Sequence, residues 1–119
     1  MKTAVRNIFV RDIAMARRYA YISDAKARFL ERIWPGPITV LFHHKGKLPK
    51  VLTGGLDTIG MQVPNDPLLA EALKHADIPV AQKSVNVSTV IDFTGNEPII
   101  LRTGTVTKGE FDALFKVVI

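Results

Sequence analysis

Apolar residues recur along this sequence with two alternating periods, one typical of strands and the other typical of helices. Nearly continuous apolar runs predict strands at residues 7–10, 38–43 and 58–63, and two shorter strands at residues 89–93 and 99–102. The last two are joined by a short segment that carries turn residues.

Helical spacing of apolar residues separates these strands. It predicts helices that begin at Asp12 and after Ser23, Asp66 and Thr107. The second has the clearest apolar face, and the Pro-Gly-Pro sequence at residues 35–37 ends it. Because strands and helices interleave along the whole chain, we predict one α/β domain over residues 1–119, with a twisted open sheet covered by helices.

Composition narrows the class of protein. The chain has 119 residues, of which 47% are hydrophobic and 23% charged, so it is long enough for one core and too apolar for a disordered chain. Its uncharged apolar runs are far shorter than the roughly 20 residues of a membrane span. It contains no cysteine, which excludes a disulfide framework and a thiolate metal site. We expect a soluble, cytoplasmic protein without a membrane partner.

The net charge of +5 is unevenly distributed. Residues 1–50 carry 11 Lys and Arg against 3 Asp and Glu, whereas residues 51–119 carry 5 against 8. A basic half of this kind can attract phosphate-bearing partners such as RNA or nucleotides. The alternative interpretation is that these charges only solvate two helix surfaces.

Several common site chemistries are excluded by spacing. The chain has neither a phosphate-binding loop with its lysine nor a Gly-x-Ser-x-Gly nucleophile turn. His43 and His44 are adjacent on a predicted strand, so their side chains point to opposite faces and cannot chelate one metal. We therefore expect no metal site.

The remaining polar candidates lie at strand ends. Ser84 and Asn86 share one face if the chain is extended there, and a hydroxyl beside a carboxamide can bond a nucleotide or a carboxylate. Arg102 precedes Gly104, where a guanidinium and free backbone N–H groups can hold a phosphate. Lys83, just before Ser84, is a further candidate for a phosphate contact. Equally, Ser84 and Asn86 can cap a turn, and Arg102 can be an ordinary surface arginine.

Five segments resemble motifs of one family and occur in the same order along the chain. They are WPGPITV at 34–40, TGGLDTIGMQVP at 53–64, SVNVS at 84–88, TVIDFTG at 89–95 and PIILRTG at 98–104. These segments are similar to the WPGPLT, TGGLDTVGIRVP, SANIS, STVIDFTG and PVILRPG motifs of the YrdC-like family, the threonylcarbamoyl-AMP synthases of tRNA modification. The likeness extends over almost the entire chain.

The resemblance implies a twisted open sheet around a concave, positively charged cavity. In the family, L-threonine, bicarbonate and ATP are joined there into threonylcarbamoyl-AMP with release of pyrophosphate, a nucleotidyl transfer that precedes modification of adenosine 37 in tRNA. It implies ATP as a substrate, with or without Mg²⁺, and no tightly bound cofactor. By this likeness Ser84 and Asn86 contact the nucleotide, Arg102 contacts its phosphate, and tRNA or double-stranded RNA is a partner.

The chain also departs from the family pattern. The Lys-x-Arg motif is not found, Gln62 stands where the family has arginine, Val85 replaces alanine, and the SANIS and STVID segments are fused at Ser88–Thr89. We therefore expect a partial domain, truncated at its start and shortened in its middle, with several family strands missing and with reduced or no synthase activity.

These departures leave two alternatives open and lead to one further expectation. One alternative is a non-catalytic module that binds double-stranded RNA or nucleotides, and another is a decayed copy without a selected role.

Lost strands leave backbone edges and apolar faces uncovered, so we expect a homo-oligomer.

Overall fold

The computed structural model describes residues 7–81 and 89–102. Within those ranges the strands are β1 (Asn7–Phe9), β2 (Ile38–His43), β3 (Thr58–Gln62), β4 (Val80–Ala81), β5 (Thr89–Asp92) and β6 (Ile99–Arg102). The helices are α1 (Ile13–Tyr19), α2 (Asp24–Ile33), α3 (Lys50–Thr53) and α4 (Pro67–Ala76). The helix predicted after Thr107 lies outside the described residues.

The six strands form one mixed sheet in the order β4-β1-β3-β2-β5-β6. Strand β1 is parallel to β3, and β2 is parallel to β5. The other three neighbouring pairs, β1–β4, β2–β3 and β5–β6, are antiparallel. The sequence prediction of an α/β fold with an open sheet is confirmed.

Side-chain caps fix where three helices begin. The carboxylate of Asp12 accepts a hydrogen bond from the backbone N–H of Met15 (2.8 Å), and the Ser23 hydroxyl accepts one from Lys26 (3.2 Å). Asp66 caps α4, whose first residue is Pro67. Polar side chains and proline are favoured at these positions because the first backbone N–H groups of a helix lack partners within it. The starts predicted at Asp12, Ser23 and Asp66 are therefore confirmed.

Helix α3 was not predicted from the sequence. It is a single turn that follows Pro49, has no side-chain cap, and ends at Gly54 in the left-handed conformation (φ 65°). One turn is too short to produce a helical period of apolar residues, so the hydrophobic pattern gave no signal for it.

One face of the sheet forms the core. The register places Ile8, Val40 and Met61 side by side, and all three are fully buried. Helices α1 and α2 cover this face with buried residues that include Met15, Ala16, Phe29, Leu30 and Ile33. The ring of Phe29 meets that of Phe93 edge to face at 5.4 Å, a favourable aromatic geometry.

The same register places a different kind of residue on the opposite face. Asn7 pairs with Gly60, and Leu41 pairs with Gly60 from the other side. Because neighbouring side chains alternate between faces, Thr39 and Gln62 also belong to this second face. The helices found within residues 7–81 and 89–102 lack the length and hydropathy of a membrane-spanning segment.

Candidate functional site

The second face of the sheet carries a buried polar group of residues, here called the polar row: Asn7, Thr39, Gly60 and Gln62. These residues lie on the three adjacent strands β1, β3 and β2. Asn7 and Gln62 are 5% and 7% exposed, and Thr39 is fully buried. Buried polar side chains are costly unless they are hydrogen-bonded, so the partners of each determine its role.

Gln62 joins strand β3 to the loop that precedes β2. Its carboxamide oxygen accepts a hydrogen bond from the Thr39 hydroxyl (3.2 Å), and its amide nitrogen donates to the carbonyl oxygen of Gly36 (2.8 Å). The backbone N–H of Gly36 in turn donates to the Val63 carbonyl (3.1 Å). The Pro-Gly-Pro loop is thus fastened to the end of β3, a role that sequence reasoning missed.

Asn7 presents a different situation. Its side-chain oxygen is buried and has no hydrogen-bond partner in the structure as described. It lies directly over Gly60, where any Cβ would collide with this oxygen and approach Thr39 Cγ2 to 3.0 Å. Gly60 therefore leaves the space that the Asn7 side chain occupies. The available sequence signal was an asparagine in a predicted apolar strand.

Of the four site residues predicted from the sequence, the described ranges include only Arg102. Lys83, Ser84 and Asn86 lie outside the described residues, as does Val85. Arg102 is the last residue of β6, and its backbone pairs with Val90, the β5 neighbour of Thr39. The backbone register therefore places Arg102 in line with the polar row. Whether the four side chains converge stays a prediction.

The residues on either side of positions 82–88 pair with neighbouring strands. Ala81 pairs with Ile8 at one edge of the sheet. Thr89 pairs with Ile38, and its backbone N–H donates to the Pro37 carbonyl at 3.0 Å. The segment with the predicted site residues therefore enters β5 beside the loop that Gln62 holds. The fusion of the SANIS-like and STVID-like segments is predicted at Ser88–Thr89. This position lies at the border of the described residues, so the fusion stays a prediction.

A groove of about 820 Å³ lies at the carboxyl ends of the parallel strands β1 and β3. The groove is lined by apolar residues that include Ile13, Trp34 and Val63. Charged residues, among them Arg11 and Lys74, also line it. In open α/β sheets the carboxyl ends of strands are a common ligand position. This groove is therefore a second place where a small molecule can be held.

The groove's arginine is already paired. Arg11 donates to the carboxylates of Asp12 (3.1 Å) and Asp77 (2.9 Å), and Arg18 also reaches Asp77 (3.1 Å). Hydrogen bonds from these arginines lower the pKa of Asp77 below its ordinary value, and the bond from Arg11 contributes more than the bond from Arg18. At neutral pH these charges hold α1 to the end of α4 rather than standing free for a ligand.

The two adjacent histidines do not form a ligand pair. The backbone N–H of Gly46 donates to Nδ1 of His44 (3.0 Å), so Nε2 carries the proton and donates to the Leu56 carbonyl (2.6 Å). Both ring nitrogens of His44 are used. Over residues 7–81 and 89–102, no group of three His, Cys, Asp or Glu residues could hold a metal ion.

Comparison with known proteins identifies the relatives of this chain. The family model described as "Telomere recombination", of the Sua5/YciO/YrdC type, matches residues 6–89. A threonylcarbamoyl-AMP synthase of Pyrococcus abyssi is 34% identical over 67 residues, which are 56% of this chain and 20% of that protein. One of Klebsiella pneumoniae is 32% identical over 97 residues, 82% of this chain and 47% of that protein.

The fold has a counterpart among solved structures. The crystal structure of P. abyssi Sua5 complexed with L-threonine superposes with a TM-score of 0.80 at 23% identity, covering 91% of this chain and 42% of that one. At this identity the likeness concerns the fold alone. The chain spans between a fifth and a half of the length of the curated relatives it matches.

Proposed function

This chain belongs to the Sua5/YciO/YrdC family, and on that premise we propose that it acts on the substrates of a threonylcarbamoyl-AMP synthase. The reaction joins L-threonine, bicarbonate and ATP into threonylcarbamoyl-AMP and releases pyrophosphate, and it serves tRNA modification. The family match over residues 6–89 carries this proposal. ATP enters as a substrate, and Mg²⁺ would accompany its phosphates.

The proposal assigns the nucleotide to the second face of the sheet. Ala81 and Thr89 are separated by the three strands β1, β3 and β2, and the short connection between them carries Ser84 and Asn86. The backbone of Arg102 lies in line with Thr39 and Gln62 of the polar row. In this arrangement Ser84 and Asn86 bond the nucleotide, while Arg102 and Lys83 neutralise phosphate charge.

We propose a reduced rate for the reaction. Nucleotidyl transfer depends mainly on positioning the reactants and on cations that stabilise the polyphosphate. The position that resembles a family arginine is occupied by Gln62, whose neutral amide already bonds Thr39 and Gly36. One cation of the family pattern is therefore replaced by a group that stabilises the fold.

Pyrophosphate release tests this proposal directly. With ATP present, we expect slow release that requires both threonine and bicarbonate and that falls at least tenfold in Arg102→Ala, since charge-assisted bonds contribute about 1.5–3 kcal/mol. Arg32→Ala, at the exposed end of α2, is the matched control and keeps the rate. Release that is independent of threonine, or no release, would exclude synthesis by this chain alone.

A second candidate is a non-catalytic module that binds RNA or nucleotides. The observation that favours it is the charge of residues 1–50, which carry 11 basic and 3 acidic residues. This interpretation predicts binding to tRNA or duplex RNA that weakens steeply with salt and needs no ATP turnover. Binding that is unchanged between low and high salt would contradict it.

Self-association is the third part of the proposal. Strand β6 is the last strand in the described sheet order. Its residues Ile99 and Leu101 are 59% and 54% exposed. An exposed apolar edge strand favours pairing with another copy of the chain. Sedimentation should show a homo-oligomer, and a monomer at high concentration would contradict it. The cytoplasmic location stays a prediction.

A further inference from the structure

A small basic pocket lies at the corner where α1, α2 and the end of β2 meet. It measures about 430 Å³, and Arg17, Tyr21, Lys26, Lys45 and Asn96 contribute to its walls. None of these residues belongs to the polar row or to the larger groove. Its volume falls within the roughly 300–1,000 Å³ of small-molecule sites.

The lysines of this pocket retain binding capacity. Lys26 Nζ donates to the carbonyl of Phe93 (2.8 Å), and Lys45 Nζ donates to the carbonyl of Arg17 (2.8 Å). An ammonium group has three N–H donors, so each lysine has two more to offer. In the described parts of the chain, neither ammonium has a carboxylate within ion-pair distance.

The third cation of the pocket is balanced by an acid. Arg17 pairs with Asp24 at 2.9 Å, and this hydrogen bond lowers the pKa of the Asp24 carboxyl. Partial burial lowers the pKa of Lys26, while the charge of Asp92 opposes that change. Three cations face the two carboxylates of Asp24 and Asp92, so the pocket has an excess of positive charge at neutral pH.

An exposed aromatic ring completes the pocket. Tyr21 is 61% exposed, yet its backbone is fixed because its N–H donates to the His43 carbonyl at 3.0 Å. The ammonium of Lys45 lies 5.6 Å from the centre of the Tyr21 ring. An exposed ring on a fixed backbone, flanked by cations, is the arrangement with which proteins stack nucleic-acid bases.

We propose that this pocket binds one nucleotide of single-stranded RNA, with the base stacked on Tyr21 and the phosphate held by Lys26, Lys45 and Arg17. The Asn96 carboxamide on the wall can bond the ribose hydroxyl or a base edge. The excess of basic residues over positions 1–50 extends the positive potential beyond one phosphate, which favours a polyanion over a free mononucleotide. This inference rests on the RNA-binding candidate and not on synthase activity.

Fluorescence anisotropy with a labelled single-stranded RNA oligonucleotide tests the pocket, with ATP and threonine left out. Tyr21→Ala should weaken binding about tenfold, the usual effect of losing one stacked base, whereas Tyr21→Phe should stay within about twofold. Lys45→Ala should weaken binding and reduce the slope of log K against log salt by about 0.7. The thermal midpoint of each variant verifies folding.

Lys50→Ala is the matched control, because this exposed lysine begins α3, which packs near β1 and contributes nothing to the pocket. It should leave affinity within about twofold. If RNA binds but Tyr21→Ala and Lys45→Ala behave like Lys50→Ala, the pocket assignment is wrong and the RNA-binding candidate stands. If the single strand does not bind, the pocket assignment is wrong, and if labelled tRNA and duplex RNA also fail to bind, the RNA-binding candidate is wrong as well.

Competition distinguishes the source of the nucleotide. An unlabelled single strand should displace the probe at lower concentration than a duplex or AMP does, because only an unpaired base on a polyanion uses both the ring and the extended charge. Displacement by AMP at equal or lower concentration, or a preference for duplex that Tyr21→Ala leaves unchanged, would overturn the assignment to single-stranded RNA.

Discussion

At the scale of single residues, two contacts on the second face of the sheet determine what each position tolerates. Gly60 leaves room for the Asn7 side chain, and Gln62 bonds both Thr39 and Gly36. The hydrophobic pattern placed Asn7, Thr39, Gly60 and Gln62 in strands correctly, and the Pro-Gly-Pro sequence placed Gly36 between elements. It could not identify the contacts, because they join residues of different elements that are 23 positions or more apart.

Gly60→Ala tests the first contact. The new methyl group would collide with Asn7 Oδ1 and crowd Thr39, so we expect a loss of about 1–3 kcal/mol in the free energy of unfolding. Denaturant titration measures the loss. Gly95→Ala is the control, since a Cβ there meets nothing within 4 Å.

The double variant Asn7→Ala/Gly60→Ala sharpens this test. Removing the asparagine side chain frees the space that the new methyl group needs, so the two changes together should cost less than their sum. Additive losses would show that Asn7 is not the obstacle.

Gln62→Glu tests the second contact with almost no change in shape. The carboxylate can still accept from Thr39, but it cannot donate to the Gly36 carbonyl and places a charge in a buried position. We expect a loss of about 2 kcal/mol or more at pH 7, because a buried acceptor loses its donor. The loss should shrink in acid, where the protonated side chain donates again. A stability equal to that of the parent chain at pH 7 would contradict this role.

At the scale of elements, polar side chains cap the starts of three helices, and ion pairs join α1 to the end of α4. Asp12, Ser23 and Asp66 were predictable as caps because residue type and position relative to an apolar face are visible in the sequence. Asp77 was not, because its partners Arg11 and Arg18 are about 60 positions away and meet it only through the fold. The single turn of α3 was missed because it is too short to show a helical period of apolar residues.

Asp77→Asn should remove a stabilisation that depends on pH. The folded pKa of this carboxyl is lowered, so its contribution is fully present above the unfolded value of about 4 and is lost as the pH falls through the folded value. The variant should therefore melt below the parent chain at pH 7, and the difference should vanish in strong acid. Asparagine tolerates the left-handed backbone of this position (φ 54°).

Thermal melts between pH 7 and pH 2.5 measure this difference. Asp57→Asn is the control, because the exposed Asp57 makes no ion pair among the described residues. A difference for Asp77→Asn that stays constant across this range would show that the ion pairs with α1 do not stabilise the fold.

At the scale of the whole molecule, the sequence predicted the α/β class and the family, and both are confirmed. Local patterns and ordered motifs carry that information. The site is less determined, because Ser84, Asn86 and Arg102 are distant in sequence and act together only if the connection between β4 and β5 brings them to the polar row. The charge asymmetry of the chain suits a polyanionic partner but also a pair of solvated helix surfaces, and the pocket around Tyr21 is the position that we propose for such a partner.

Calorimetric titration with ATP tests most directly whether this chain keeps the nucleotide site of its family. The parent chain and Arg32→Ala should give a saturable heat, and Asn86→Ala and Arg102→Ala should each weaken binding about tenfold or more, because each removes a bond to a charged ligand. Equal heats in all four proteins, or no heat in the parent chain, would contradict the account.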